Sequence, residues 1–107
     1  MSFTVFARAH GVEVGDLMAH CPYGAMPVVV EITPRAKPLF DFVHPHNAFY
    51  IFGPEDSSVK KDIVERCPLV VSIPMNGCMN LAATVNVLLY DRLQKQERKR
   101  EAAAILA

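Results

Sequence analysis

Residues able to bind a ligand or take part in chemistry are concentrated in two short turns, each of which follows an apolar run. The first turn is Gly53-Pro54-Glu55, and the second lies within residues 73–80, Ile-Pro-Met-Asn-Gly-Cys-Met-Asn. Glycine permits close approach of the backbone to a ligand. The Glu55 carboxylate could orient a partner or act as a base, and the Asn80 amide could hold a substrate or a cofactor. Because open α/β sheets bind ligands at the carboxyl ends of their strands, the two turns predict a binding site.

The strands that would position these turns are indicated by apolar, β-branched runs. Such runs predict three buried parallel strands, at residues 27–32, 48–52 and 69–73. Residues 3–6 form a shorter apolar stretch, which is either an edge strand or a loose N-terminal segment.

Apolar residues at helical spacing predict helices between the strands. One short helix includes Leu17, another ends near Arg66, and the last runs from about Cys78 to beyond Arg92. Residues 36–43 also have helical spacing, although a proline inside this segment would shorten or kink the helix. The alternation of strands and helices predicts the α/β class, with a parallel sheet and helices on both of its faces.

Length and composition limit the possible functions. The chain has 107 residues, which suits one domain, and 51% of them are hydrophobic, which is enough for a packed core. The formal net charge is zero, so any nucleic-acid contact has to come from a local patch. Residues 92–101 hold five basic and two acidic side chains. Such a run is either a solvated helix face or an RNA contact.

The sequence shows no sign of a membrane anchor, of export or of a metal site. No apolar run approaches the roughly 20 residues that a membrane helix needs, and the N-terminus lacks the features of a signal peptide. Three scattered cysteines without CxxC spacing argue against a disulfide framework and a zinc site. His44 and His46 have no further ligand cluster beside them. We therefore expect a cytoplasmic protein that holds no metal.

Both turns resemble motifs of one family of RNA-modifying enzymes. Ile73-Pro74-Met75-Asn76-Gly77, followed by Cys78-Met79-Asn80-Leu81, resembles the third motif of the SpoU-type (TrmH-like) branch of SPOUT RNA methyltransferases. Phe52-Gly53-Pro54-Glu55 resembles the second motif of the same branch. The order and the spacing of the two motifs fit, and a fainter resemblance extends from about Val5 to Leu93.

This resemblance implies a fold, a cofactor and a reaction. The fold is a single SPOUT-like domain over residues 1–107, in a minimal version with a C-terminal trefoil knot. The cofactor is S-adenosyl-L-methionine, placed among the loops at residues 31–33, 53–55 and 73–78. The reaction is methylation of a ribose 2′-hydroxyl in RNA, and the small single-domain members favour tRNA. The implied cofactor-binding residues are Glu31, Gly53, Ile73, Met75 and Cys78, and the implied catalytic residues are Glu55 and Asn80. Arg8 is added as a catalytic candidate because it lies nearest in sequence to the family segment that this chain lacks.

The chain departs from the family pattern in ways that leave a second function open. Relatives begin with a further strand and helix carrying a first motif, which includes an asparagine and an arginine near the reacting ribose, and this chain starts after that region. The turn between Met75 and Cys78 is shorter than in many relatives, and Cys78 stands where serine is usual. If catalysis persists, a basic residue must replace the arginine: Arg8 is the first choice, with Arg35 or a side chain of a partner subunit as alternatives. The alternative function is a catalytically reduced knotted module that binds S-adenosylmethionine or RNA without methyl transfer.

Family members form homodimers, and the last helix carries surface for such an association. Its wide apolar stripe is more than a three-stranded sheet can easily bury, and Ile105-Leu106 adds a further patch. The stripe consists of Leu81, Val85, Leu88, Leu89 and Leu93. In a symmetric dimer, Arg92, Lys95 and Arg98 would face RNA phosphates.

Overall fold

The computed structural model describes residues 2–7, 12–53, 59–74 and 80–106. Five strands in this part of the chain form one sheet: β1 (Ser2–Phe6), β2 (Met26–Val30), β3 (Lys37–Pro38), β4 (Asn47–Phe52) and β5 (Leu69–Ser72). They are accompanied by the helices α1 (Val14–Ala19), α2 (Lys61–Arg66) and α3 (Leu81–Leu106), and by a 3-10 turn, Leu39–Asp41. All pairings are parallel, and the order across the sheet is β1-β4-β2-β5-β3.

Side chains alternate along β4 and so define two hydrophobic cores, one on each face of the sheet. Phe49 and Ile51 point to the face that α1 and α2 cover. Tyr50 and Phe52 point to the opposite face, where Leu88 of α3 packs. All five side chains are buried. The parallel sheet with helices on both faces confirms the predicted α/β class.

The three predicted strands are confirmed, with small shifts of their ends, as β2, β4 and β5. The segment at residues 3–6 belongs to an edge strand, β1, which pairs with β4 in parallel. The short strand β3 escapes prediction, because two residues are too few to show an alternation of apolar and polar side chains. The sheet described therefore has five strands where the sequence predicts three.

The helix predicted over residues 36–43 is wrong. β3 occupies its first half and pairs with the end of β5, and Pro38 has φ −64° and ψ 145°, an extended conformation. Proline lacks the N–H that a helix interior requires, whereas an edge strand tolerates it. After β3 the chain passes beneath α3, where Leu39 and Phe42 are buried in the same core as Leu88.

Helix α3 buries only part of the apolar stripe predicted for it. Leu81, Val85, Leu88 and Leu89 pack in or against the core on its face of the sheet. Leu93, in contrast, is 62% exposed, and the buried stripe continues through Arg92, which is 3% exposed. The sheet therefore accepts most of the stripe, and an arginine occupies the position at which the stripe leaves the apolar core.

The predicted trefoil knot involves the loops after β4 and β5, and because residues 54–58 and 75–79 lie outside the described part of the chain, the knot stays a prediction. None of the described helices is long and apolar enough to cross a membrane. Within the described ranges, no three His, Cys, Asp or Glu side chains are grouped as metal ligands would be.

Candidate functional site

Three neighbouring strands, β4, β2 and β5, end side by side at one edge of the sheet. The last residue of β2 is level with the last residue of β4 and with Val71 of β5. Glu31, Gly53 and Ile73, which follow these strand ends, therefore lie along the same edge. We call this set of strand ends the carboxyl edge. The structure thus brings together three of the residues for which the sequence predicts cofactor binding.

Gly53 and Ile73 flank the two predicted turns. Both residues are half-buried, and Ile73 packs against the core beneath α3. Gly53 directly precedes residues 54–58, and Ile73 comes two positions before residues 75–79. Four of the other predicted site residues lie outside the described ranges, so their roles stay predictions: Glu55, Met75, Cys78 and Arg8.

Glu31 ties two segments of the carboxyl edge together through main-chain groups. Its Oε2 accepts a 2.8 Å hydrogen bond from the N–H of Val59, and its Oε1 accepts a 3.0 Å bond from the N–H of Ile32. Its own N–H donates to the Val71 carbonyl at 3.0 Å. The Glu31 carboxylate therefore fixes the point at which the chain returns from the Gly53 turn, and it shapes the edge through the backbone.

Thr33 places a hydroxyl at the same end of the sheet. Its Oγ1 is buried and has no hydrogen-bond partner within the described part of the chain. A buried hydroxyl without a partner costs free energy unless another polar group satisfies it. The residue lies in the 31–33 loop, so a ligand seated at the carboxyl edge is one source of that polar group.

Asn80 caps the N-terminus of α3. Its Oδ1 accepts a 2.8 Å hydrogen bond from the N–H of Ala83, and its carbonyl accepts bonds of 3.0 Å from the N–H and from the Oγ1 of Thr84. The cap satisfies main-chain donors that would otherwise lack a partner at the start of the helix. Since capping uses the oxygen, the amide nitrogen of this exposed side chain is the group left to contact a ligand.

The Arg35 side chain makes its hydrogen bonds near the opposite end of the sheet. Its guanidinium donates to the carbonyl oxygens of Val64 and Cys67, the latter at 2.7 Å. These carbonyls lie at the end of α2 and just before β5, whereas Ile73 follows the other end of that strand. Arg35 therefore serves as a C-terminal cap for α2, which disfavours it as the replacement for the family's arginine.

A second group of polar side chains lies beneath α3 and was not identified from the sequence. We call it the Arg92 cluster: Arg92, Asp91 and Lys95 of α3, Tyr50 of β4, and His44 of the preceding loop. The Arg92 guanidinium donates to the Tyr50 hydroxyl at 2.8 Å and to three carbonyls, those of Ser2, Pro45 and His46, at 2.8–3.1 Å. The cluster thereby fastens α3 to β1 and to the loop before β4.

His44 completes a chain of hydrogen bonds through this cluster. Its Nδ1 lies 2.7 Å from the Tyr50 hydroxyl, and its Nε2 lies 2.7 Å from Oδ2 of Asp91, which also lies 2.8 Å from Nζ of Lys95. All partners are satisfied when His44 is neutral, with Nε2 donating to Asp91 and Nδ1 accepting the Tyr50 proton. Because both ring nitrogens are used, the arrangement holds the helix in place and leaves no free base for chemistry.

These contacts correct part of the predicted RNA-binding surface. The prediction that Arg92 and Lys95 face RNA phosphates is wrong for both residues. Arg92 is buried, and Lys95 donates to the Leu39 and Phe42 carbonyls at 2.6 and 2.7 Å while pairing with Asp91. The exposed Arg98 keeps that role as a prediction.

The neutral, buried imidazole of His44 should make the stability of the fold depend on pH. Burial lowers its pKa, and the bond to Asp91 opposes this only in part. A histidine with a lowered pKa in the folded state binds a proton more readily in the unfolded chain. Stability should therefore fall as the pH drops through the unfolded value of about 6.5. We expect a lower urea midpoint at pH 5.5 than at pH 7.5 in the wild-type chain.

Two substitutions separate His44 from the other titrating groups. In His44→Gln, the fall in midpoint between pH 7.5 and pH 5.5 should be much smaller than in the wild type. His46→Gln is the matched control, since the His46 side chain is exposed. Its contact with Arg92 is made by the main-chain carbonyl, which the substitution retains. An unchanged pH dependence in His44→Gln would contradict the assignment of a neutral, buried His44.

The described thiols do not suit nucleophilic chemistry. Burial raises the pKa of Cys67 to about 11 and also raises the pKa of Cys21. Both cysteines are free. Because the thiolate is the reactive form, neither side chain is a nucleophile near neutral pH.

Comparison with known proteins yields one match. The sequence model of the SpoU rRNA Methylase family matches residues 9–90, which is most of the chain and includes both predicted turns. No curated protein and no solved structure matches the chain.

Proposed function

The chain belongs to the SpoU rRNA methylase family, and we propose that it uses S-adenosylmethionine to methylate a ribose 2′-hydroxyl of RNA, with tRNA as its substrate. The family is one of RNA methyltransferases. The choice of tRNA rests on the likeness to small single-domain members and goes beyond the family description, which names rRNA. The free thiols Cys21 and Cys67 suit the reducing cytoplasm, where we place the reaction.

The observation that carries the proposal is the carboxyl edge. Three adjacent parallel strands end together there, and two of them lead into turns that resemble family motifs. An adenine needs apolar contact with its faces and main-chain groups along its polar edge. Half-buried Gly53 and Ile73 suit the first need, and the main chain of Ile73 suits the second. We assign the same contact with the adenine edge to the main chain of Met75. The buried hydroxyl of Thr33 adds a polar group that a ligand could satisfy.

The protein's share of the reaction is alignment and removal of a proton. When bound, S-adenosylmethionine supplies a methyl group already activated by its sulfonium. The chain would then have to hold the ribose in line with that methyl group and to accept the hydroxyl proton as the C–O bond forms and the sulfur–methyl bond breaks, with the neutral thioether as the leaving group. We assign proton acceptance to Glu55, a contact with the ribose or cofactor to Asn80, and the role of the family's arginine to Arg8. Cys78 contributes to the cofactor pocket.

A second candidate function is a module that binds S-adenosylmethionine or RNA without methyl transfer. The observation in its favour is the position of Arg35, which caps α2 and so removes one of the residues that could replace the family's arginine. Incubation with tritiated S-adenosylmethionine and either bulk tRNA or rRNA separates the candidates. Label in the 2′-O-methyl nucleosides of tRNA supports our proposal, whereas cofactor binding without label in either RNA supports the module. Label confined to rRNA would contradict the choice of tRNA.

We also propose that the chain forms a homodimer through the outward face of α3. Val87, Tyr90 and Leu93 follow one another at a spacing of three residues, and all three side chains are exposed. Tyr90, the middle residue of this stripe, is 59% exposed, so the three side chains form a contiguous apolar patch on the helix. In a two-fold symmetric dimer, each copy would cover the stripe of the other, and the particle would contain two carboxyl edges.

Sedimentation velocity at micromolar concentration tests the dimer. We expect a dimeric species for the wild-type chain and a monomer for Leu93→Asp, because a carboxylate within the interface would be desolvated without a partner. Tyr23→Asp is the control, since Tyr23 is exposed on the turn before β2. A monomeric wild-type chain would contradict the proposal.

A further inference from the structure

A cleft of about 280 Å³ lies beside α3, away from the carboxyl edge. One wall is formed by the 3-10 turn and the loop after it, with Phe40 and Val43. The other wall is formed by α3, with Gln96 and Lys99. We call this feature the Phe40 cleft. From Asn80, which caps α3, the helix rises about 28 Å to Lys99, at about 1.5 Å per residue.

The apolar residues of the Phe40 cleft are unusually exposed. Phe40 is 77% exposed and Val43 is 75% exposed, whereas Leu39 and Phe42 beside them are buried in the core. The segment therefore anchors itself through one pair of side chains and presents the other pair to solvent. Adjacent exposed apolar side chains of this size are typical of a contact surface.

Basic side chains surround these apolar groups. Lys99 lines the Phe40 cleft, and Lys37 lines an adjoining depression that shares Val43 with it. Both lysines are exposed, and neither has an ion-pair partner within the described ranges. Asp41 is the one carboxylate on the described lining of the two depressions. Because basic side chains outnumber this one carboxylate, the region is locally basic, although the whole chain has no net charge.

We propose that the Phe40 cleft is a second RNA-contact surface, which stacks an unpaired base on Phe40 and holds neighbouring phosphates with Lys37 and Lys99. Exposed aromatic rings beside unpaired cations are the combination with which proteins bind single-stranded nucleic acid. The inference rests on the proposed function, because it takes RNA as the substrate. The distance along α3 means that the cleft contacts nucleotides other than the one that reacts, so it contributes to affinity and to the choice of RNA.

Charge favours RNA over a second copy of the chain as the occupant. The exposed apolar end of α3, Ile105 and Leu106, is the segment of another copy that could enter an apolar cleft. Three consecutive basic residues, Arg98-Lys99-Arg100, lie on the same helix before this end and are separated from it by Glu101 and three alanines. Like charges would then meet at the cleft, whereas RNA phosphates complement Lys37 and Lys99.

Filter binding of bulk tRNA tests the proposal. Phe40→Ala should weaken binding about tenfold, equivalent to about 1.4 kcal/mol, because stacking on the ring is lost. Lys99→Gln should weaken binding and lower the slope of log affinity against log salt by nearly one, because one phosphate contact is lost. Both variants should bind S-adenosylmethionine like the wild type. Tyr23→Ala, which removes an exposed ring elsewhere, should leave RNA affinity unchanged.

The outcomes separate this inference from the proposed function. If the wild-type chain binds no RNA, the proposed function and the inference both fail. If the wild-type chain binds tRNA and both cleft variants bind it equally well, the inference alone is overturned. Conversion of a dimer to a monomer by Phe40→Ala, with unchanged tRNA affinity, would identify the cleft as an interface between copies and would also overturn the inference.

Discussion

Gly53→Val is expected to weaken binding of S-adenosylmethionine at least about 100-fold, equivalent to about 2.7 kcal/mol. Gly53 follows the end of β4, between the ends of β1 and β2, on the edge where we place the adenine. A valine side chain there would occupy the space into which the ligand has to pack, and tightly packed sites tolerate added volume poorly. Equilibrium dialysis with tritiated S-adenosylmethionine measures the loss, and circular dichroism checks that the variant is folded.

The control for this substitution is Gly15→Val. Gly15 lies in α1 and is exposed, and a Cβ added there meets no atom within 4 Å apart from its chain neighbours and the backbone of its own helix. This variant should bind the cofactor like the wild type. If Gly53→Val unfolds the chain, the smaller Gly53→Ala should still reduce affinity in a folded protein. Wild-type affinity in either folded Gly53 variant would place the cofactor site elsewhere.

Arg92→Met is expected to destabilise the fold by about 3–5 kcal/mol, because several acceptors at least partly buried lose a charged donor and each such loss costs about 1–3 kcal/mol. The substitution retains most of the side-chain volume but removes every donor. It leaves the Tyr50 hydroxyl and three main-chain carbonyls without the guanidinium. Since small domains are stable by about 5–15 kcal/mol, the loss should be evident as a large fall in the urea midpoint.

Two variants make the test of Arg92 specific. Arg98→Met removes an exposed arginine from the same helix and should leave the midpoint almost unchanged. Arg92→Lys keeps the charge but has fewer donors in a different geometry, so its midpoint should fall between those of the wild type and Arg92→Met. Equal midpoints for Arg92→Met and Arg98→Met would show that the buried network contributes nothing to stability.

The carboxyl edge could be predicted from the sequence because its signals are local. The run before Ile73 is continuous, apolar and β-branched, which is typical of a strand buried on both faces. Turn residues follow this run and the one before Gly53. A parallel sheet then brings the two turns to the same side, whatever the order of the strands.

The Arg92 cluster could not be predicted in the same way, because its members come from distant parts of the chain. Arg92 joins α3 to Ser2, Pro45, His46 and Tyr50, and no spacing along the sequence indicates these contacts. Only weak signals were available. Arg92 lies four residues after the buried Leu88, on the stripe that faces the sheet, and Asp91 and Lys95 have the spacing of a helical ion pair.

The segment at residues 36–43 shows how two patterns compete. Helical spacing of its apolar residues predicts a helix, but Pro38 favours an extended conformation and the edge of β5 offers a partner for it. Tertiary pairing prevails over a pattern that spans barely two turns. The outcome matters for function, because it leaves Phe40 and Val43 exposed beside α3.

Calorimetric titration of the wild-type chain with S-adenosylmethionine tests the cofactor site most directly. We predict saturable binding of one molecule per chain, which the demethylated product S-adenosylhomocysteine competes for. Absence of saturable binding, in a chain shown to be folded, would contradict the assignment of the carboxyl edge as a cofactor site.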